Sequence, residues 1–389
     1  MTAHSGLLSR ATVNPIGLAD RQPWARHGTN CRFDAHRRDS NMKVGLLHPR
    51  TGVAGMWAPS MDAAALVAAA EINAAGGILG EEIELVFGDC GFSNGEALAA
   101  VNMLLEVDGA EAIIGGHPSN IRDTISDRVS HRVPYIYTPQ YEGLACGPST
   151  IAIGSVDHEL MAPALHWFRN DKRAERFFFV GNDYIWPRSA LATTRQLMLQ
   201  QGGKLVGDLL VPTHPIDYTA VLRQIARSGA QVVIQALVGQ CSVEFNRAFA
   251  AAGLDEKMLR FGLIVDETVI CGIGADASNN LFTAANYFSE HHSQSNDHFL
   301  ELYHDAFGEY APPVSAASVG CYEGFHVLAG LARDLQSRDS RRLAHHLKRS
   351  LTRPAARHML SGKPVGRSPG VYLGQAEGAT LRVVAALAH

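Results

Sequence analysis

The 389-residue chain has only six cysteines, and no two of them form a C-x-x-C pair. Scattered at Cys31, Cys90, Cys146, Cys241, Cys271 and Cys321, they do not build a zinc site or a disulfide framework, which favours reduced thiols and a cytoplasmic protein. No Walker loop, no G-x-G-x-x-G after a strand, no G-x-S-x-G and no H-E-x-x-H occurs, so the common nucleotide-binding, serine-hydrolase and zinc-protease signatures are all missing. Charge of one sign is missing as well. Lys and Arg number 34 against 38 Asp and Glu, a net charge of −4, which offers no argument for nucleic acid or an acidic membrane surface. No run of about 18 apolar residues is found, so no membrane span is expected. The 18 histidines include His291-His292 and His345-His346, but adjacent histidines point in different directions; neither a metal nor a cofactor is expected.

What is present is an ordinary α/β composition, 46% hydrophobic and 19% charged, in a chain long enough for two domains. The first 41 residues differ from the rest. Arg10, Arg21, Arg26, Arg32, Arg37 and Arg38 punctuate them, with no apolar stretch of the kind a secretory signal needs, and Thr29-Asn30-Cys31-Arg32 lacks the apolar lead of a lipoprotein signal. This segment reads as a disordered extension, or as sequence upstream of a true start at Met42. A cytoplasmic protein is the consequence, with a periplasmic one as the alternative if the segment is misread.

From Lys43 strands and helices alternate. A strand at 44–47 precedes a helix with Pro59 in its first turn and Met61, Ala65, Ala68 and Ile72 on one face, stopped by Gly76-Gly77. Strands follow at 83–87, 112–116 and 133–137. A second series has helices at 158–169, 188–201, 218–228 and 242–252, and strands at 176–180, 205–211 and 232–237. Strands alternating with helices of ten to fifteen residues imply parallel sheets covered on both faces. The fold class is therefore α/β with two Rossmann-like lobes; a (β/α)₈ barrel is the competitor. The N-terminal lobe takes 42–155 plus 286–338, where helices at 297–307 and 314–333 cover its sheet. The C-terminal lobe takes 156–285 plus 339–389.

Ligands of open α/β folds bind at the carboxyl ends of the strands. The loops there share a character: Ser119 and Asn120 after the third strand, Tyr141 and Glu142 after the fourth, Tyr184 and Trp186 after the strand at 176–180, Gly239 after the strand at 232–237, and Tyr287 at a crossover. Neutral donors and acceptors beside aromatic faces suit a small uncharged polar ligand. No nucleophile–base pair is visible, and an enzyme is not expected.

These residues carry a resemblance. Asn73-x-x-Gly76-Gly77, Gly115-Gly116-His117-Pro118-Ser119, Pro139-Gln140-Tyr141-Glu142-Gly143, Gly181-Asn182-Asp183-Tyr184-Ile185-Trp186-Pro187-Arg188 and Asn286-Tyr287-Phe288-Ser289 make the chain from Lys43 to Leu335 similar to the type I periplasmic-binding-protein fold. Within it, the chain looks like the amide- and urea-binding branch that includes the sensor of aliphatic amidase expression. The resemblance implies two lobes joined by a three-strand hinge, a small amide-like ligand, and contacts from Ser119, Tyr141 and Tyr184, with His117, Asn120, Gly239 and Tyr287 nearby. It implies a sensor holding an antiterminator-like protein partner, with no direct nucleic-acid binding. The alternative is the substrate-binding component of an ABC transporter for amides, urea or branched-chain amino acids, with a permease as partner. A homodimer is left open. Three departures stand out. His117 replaces a tyrosine, Leu263-Ile264-Val265 replaces a threonine-rich turn, and the tail after Gly362 lacks an Asn-His-rich hairpin.

Overall fold

The computed structural model of the chain describes residues 41–347 and 370–388, so the expectations for 1–40 and for the tail between 348 and 369 lie outside the described residues. The chain runs β1 (Met42–His48), α1 (Ala58–Ala74), β2 (Ile83–Asp89), α2 (Asn94–Asn102), β3 (Ala112–Gly115), α3 (Arg122–Val129), β4 (Tyr135–Tyr137) and β5 (Thr150–Ala152). It continues with α4 (Asp157–Asn170), β6 (Arg176–Asn182), α5 (Ile185–Gln201), β7 (Lys204–Val211), α6 (Thr219–Ser228), β8 (Val232–Ala236), α7 (Gln240–Ala251), β9 (Leu259–Gly262), α8 (Glu267–Ile273) and β10 (Leu281–Ala285). It ends with α9 (Gln294–Phe307), α10 (Ala316–Leu335), α11 (Ser340–His346), β11 (Val371–Glu377) and β12 (Thr380–Ala388).

Two sheets result, and the fold is a two-lobe α/β fold. The first has the order β2-β1-β3-β4-β5, all parallel. The second has the order β12-β11-β10-β9-β8-β6-β7, in which β7-β6-β8-β9-β10 are parallel and repeat the order of the first sheet. The hairpin β11–β12 adds antiparallel to β10. Strands buried on both faces read as continuous apolar runs, as in Phe177, Phe178, Phe179 and Val180. The chain leaves the first sheet between β5 and α4 and returns between β10 and α9, whose Phe299 and Tyr303 join the first core.

Helix α1 packs along α10. Its Ala63, Ala64, Ala65, Ala68 and Ala69 are buried, and Gly320 and Gly324 of α10 lie against Thr138 and Ile114 of the sheet. The same alanines make the segment from Gly52 to Ala74 long and apolar enough, by composition alone, to cross a membrane, with a mean hydropathy of 1.3. Counting uninterrupted apolar residues overlooks it; its buried face belongs to the core of the first lobe. Helix α11 departs from the expected partition. Leu343 and Leu347 are buried in the first core, so the segment up to 347 stays with the first lobe.

The Asn73-x-x-Gly76-Gly77 pattern has a physical reason. Asn73 Oδ1 accepts from the Ile83 backbone N–H at 2.7 Å and Asn73 Nδ2 donates to Ile83 C=O at 3.1 Å, clamping the end of α1 to the start of β2. The reversal between them needs Gly77 at φ 71°, where a Cβ would lie 2.1 Å from the Glu81 carbonyl oxygen. Asn73→Ala is expected to cost about 2 kcal/mol, two partly buried hydrogen bonds, lowering the denaturant midpoint at constant m-value. An unchanged midpoint would show that the clamp is not stabilising.

Candidate functional site

In each sheet the order reverses beside the first strand, between β1 and β3 and between β6 and β8, and the loops leaving those carboxyl ends face one another. Such switch points leave a crevice. Here it is a cleft between the two lobes. From the first lobe it is lined by Trp57, Met61, His117, Ser119, Tyr137, Thr138 and Gln140, and from the second by Leu160, Tyr184, Trp186, Val238, Leu263, Ile264, Val265 and Asp266. Ser155 and Asn286 line it where the chain passes between the sheets after β5 and after β10, and Asn286 Nδ2 donates to Ser155 Oγ.

The wall is aromatic and aliphatic with a few neutral polar atoms, and no Lys or Arg is among the lining residues. Its one carboxyl is Asp266, the N-cap of α8, which accepts from Val269 N–H at 3.1 Å and from Trp57 Nε1 across the lobes at 2.8 Å. Burial pushes its pKa up. His117 is neutral: burial, with Arg122 and His48 nearby, brings its pKa down to about 4. Its Nδ1 faces the Pro118 carbonyl at 3.0 Å and so carries the proton, which leaves Nε2 to accept from the Tyr135 hydroxyl at 2.5 Å. Both ring nitrogens are therefore spent within the chain, and His117 offers the cleft only its ring edge.

Of the residues expected at the site, Ser119, His117 and Tyr184 line the cleft. Tyr184 stands edge-on to Phe92 of the first lobe, with ring centroids 5.4 Å apart, and its hydroxyl makes no hydrogen bond among the described residues. The other four stand elsewhere. Asn120 donates from Nδ2 to the Phe92 carbonyl at 2.7 Å and fixes the loop before α2. Tyr141 packs edge-on against Tyr137, beneath the Arg122 guanidinium, which is also bound to Glu142 at 2.5 Å. Tyr287 is buried in the first core and donates to Asn296 Oδ1 at 2.7 Å. Gly239, at φ 49°, brings the β8–α7 turn so close to the first lobe that a Cβ would sit 1.9 Å from the Val53 carbonyl oxygen. It is a contact between lobes.

Sequence reasoning passed over Trp57, Tyr137 and Gln140. Tyr137 had a readable signal, since it ends a strand in alternation with Tyr135. Trp186, placed by the sequence at the strand-end loop with Tyr184, both lines the cleft and donates from Nε1 to Asp157 Oδ1 at 3.0 Å. Asp157 also accepts from Gln140 Nε2 at 2.7 Å, and burial raises its pKa to about 7.

A cleft between two lobes with a neutral, partly aromatic lining is the architecture of a ligand-binding protein. The chain belongs to the periplasmic binding protein family, whose model matches residues 41–359. It is 28% identical over 162 residues to "Leu/Ile/Val-binding protein homolog 6" of Brucella melitensis, a match spanning 41% of each protein, so the chain aligns with well under half the length of that relative. It is 25% identical over 342 residues to "Leu/Ile/Val-binding protein BraC3" of Rhizobium johnstonii, covering 82% of this chain and 86% of the relative. Its fold matches the branched-chain amino acid transporter substrate-binding protein LivJ of Streptococcus pneumoniae, solved with isoleucine, at a TM-score of 0.78 and 17% identity, covering 90% of this chain and 99% of that one.

Membership of a periplasmic binding protein family overturns the cytoplasmic expectation: its members are extracytoplasmic. Scattered cysteines were a poor guide to compartment. The relatives are binding proteins rather than enzymes, and they lend no support to an antiterminator-like partner.

Two outcomes follow from this geometry. Tyr184→Phe is expected to leave thermal stability within about 0.5 kcal/mol, because no internal bond of the hydroxyl is lost, while weakening ligand affinity by about 0.5–1.5 kcal/mol. Calorimetric titration beside a melting curve checks both; a variant that melts early but binds normally would place the hydroxyl in an internal bond. The second concerns pH. Burial raises Asp157 and Glu267 to about 7, so the folded state keeps protons that the unfolded chain releases near pH 4. Their contribution is full below that value and is lost as pH rises through 7, at up to about 1.4 kcal/mol per pH unit for each group. Glu71, lowered to about 2 by His326, Tyr322 and His298 against the opposing effect of burial, contributes above 4.5 and loses that contribution as pH falls through 2. Stability should peak near pH 4, and Asp157→Asn should flatten the limb from 4 to 7. A curve rising steadily to pH 8 would contradict the assignment.

Proposed function

We propose that the protein is the extracytoplasmic solute-binding component of an ABC-type importer, and that its solute is small, uncharged and amide-like. The observation that carries the ligand class is the electrostatics of the cleft. No cationic side chain lines it, His117 is neutral, and Asp266 already has Trp57 and Val269 as partners. Burying a carboxylate or an ammonium there would cost several kcal/mol without a counter-charge. A primary amide needs only hydrogen-bonding groups, which Ser119, Thr138, Gln140 and Tyr184 can offer, and a short apolar tail would fit among Leu160, Trp186 and Val265. The transport role rests on the relatives, which include Leu/Ile/Val-binding proteins and a transporter's substrate-binding protein. A permease is the partner this role requires.

A branched-chain amino acid is the second reading, favoured by the names of those relatives. It requires Asp266 to exchange the Trp57 indole for the ligand's ammonium group, and the carboxylate to rely on hydroxyls and backbone N–H groups alone.

A thermal-shift panel of acetamide, propionamide, urea, leucine and isoleucine tests the assignment. A millimolar amide should raise the melting temperature by several degrees, as mass action predicts for a ligand at about 100 times its Kd, while leucine and isoleucine leave it unchanged. The reverse pattern would replace the amide by an amino acid.

A further inference from the structure

Gln140 lines the cleft from the β4–β5 connection of the first lobe, while Asp157 opens α4 at the start of the second. Asp157 is buried, and its Oδ1 receives two hydrogen bonds, from Gln140 Nε2 at 2.7 Å and from Trp186 Nε1 at 3.0 Å; Oδ2 has no partner. An indole nitrogen can only donate, and an oxygen that already faces it is an acceptor. The Gln140 carboxamide must therefore turn its NH₂ toward Asp157. Protonation of the carboxyl would not change this, because the proton would sit on the unpartnered Oδ2 and Oδ1 would still accept from both donors. The Oε1 atom of Gln140 makes no hydrogen bond among the described residues. It is left as a fixed acceptor in a wall made mostly of hydroxyls, rings and aliphatic chains, in which the Asp266 carboxyl is already bound to Trp57 and Asn286 donates to Ser155.

We infer that Gln140 is a specificity-determining residue that reads an N–H group of the solute through Oε1, and that Asp157 is the positioning residue that sets the orientation of its carboxamide. The inference rests on the reading of the solute as a primary amide. A solute that carries a methyl in place of the NH₂ would leave Oε1 desolvated and unbonded, which the site should reject by roughly tenfold or more. Asp157 acts on this selection from beneath the wall and touches no solute. Because it holds Trp186 by the same oxygen, it also ties the acceptor of one lobe to an aromatic surface of the other.

The test is a pair of isosteres, propionamide and butanone, titrated calorimetrically into the full chain. The wild type should prefer propionamide by at least tenfold. Gln140→Met keeps the length without the amide and should bring the ratio close to one, with Gln140→Leu as a second variant should the first fold poorly. Asp157→Leu frees the carboxamide and should reduce the ratio severalfold although Gln140 remains. Asp157→Asn can still present its oxygen to both donors and should restore it. A purely structural role for Asp157 would weaken both ligands equally and leave the ratio unchanged. A wild-type ratio in Gln140→Met overturns the inference while the amide assignment stands. A wild type that binds neither propionamide nor acetamide nor urea overturns the assignment and the inference together.

Discussion

The hydrogen bond from Trp57 Nε1 to Asp266 Oδ2 is the constraint on which the closed arrangement depends. Trp57 belongs to the first lobe and Asp266 caps α8 of the second, and the carboxyl is half-buried between them. A buried carboxyl oxygen without a donor is costly. Here the indole of the facing lobe serves it. The rest of the seam is apolar and close: Phe92 against Tyr184, Met56 against Gly272, and the Gly239 turn against the Val53 carbonyl. None of these tolerates a displaced lobe, so the polar tie and the packing act together.

Charge is handled in the opposite way inside each lobe. Arg122 is fully buried, yet it is paired with Glu142 and packed over Tyr137 and Tyr141. Arg260, buried within β9, donates from Nη1 to Asn246 Oδ1 at 2.7 Å, and burial brings its pKa down to about 10. In both cases the partners come from the same lobe, a carboxylate for Arg122 and an amide oxygen for Arg260. That leaves the cleft itself nearly neutral, and a neutral cleft cannot select a solute by charge. It must select by the direction of its hydrogen-bonding groups, and direction has to be enforced from behind the wall.

The fold was legible because its signals are periodic. Apolar runs such as Phe177–Val180, helices stopped by glycines, and the alternation of the two gave away a pair of parallel sheets. Strand β10 and three further elements were passed over, the three for identifiable reasons. Strand β5 is three residues long; β9 carries the buried Arg260, which disguises it as a polar segment; and α8 has only seven residues. The site was legible only in part. Loops at strand ends could be located, which found His117, Ser119 and Tyr184, but a side chain's direction is not periodic in a loop. Asn120, Tyr141 and Tyr287 belong to the same loops and crossovers and point into packing instead. Trp57 and Asp266 lie 209 residues apart, and nothing local in either segment announces the other.

The two lobes contribute unequal chemistry to the cleft, and this bears on how a solute could close it. The first lobe supplies Ser119, Thr138 and Gln140, whereas the second supplies the Tyr184 and Thr283 hydroxyls and an Asp266 carboxyl already held by Trp57, among rings and aliphatic chains. A solute held by the first lobe gains little more than one hydrogen bond and some apolar burial when the second lobe arrives. One such bond is worth about 0.5–1.5 kcal/mol, and burying a few methylene groups adds about 0.8 kcal/mol each. Only this extra affinity for the closed state can shift the equilibrium. A gain of about 3 kcal/mol is a factor of roughly 150. For so small a gain to be decisive, the open and closed arrangements must lie within a few kcal/mol of each other, and the Trp57–Asp266 hydrogen bond between the lobes is one contact that weighs on that balance.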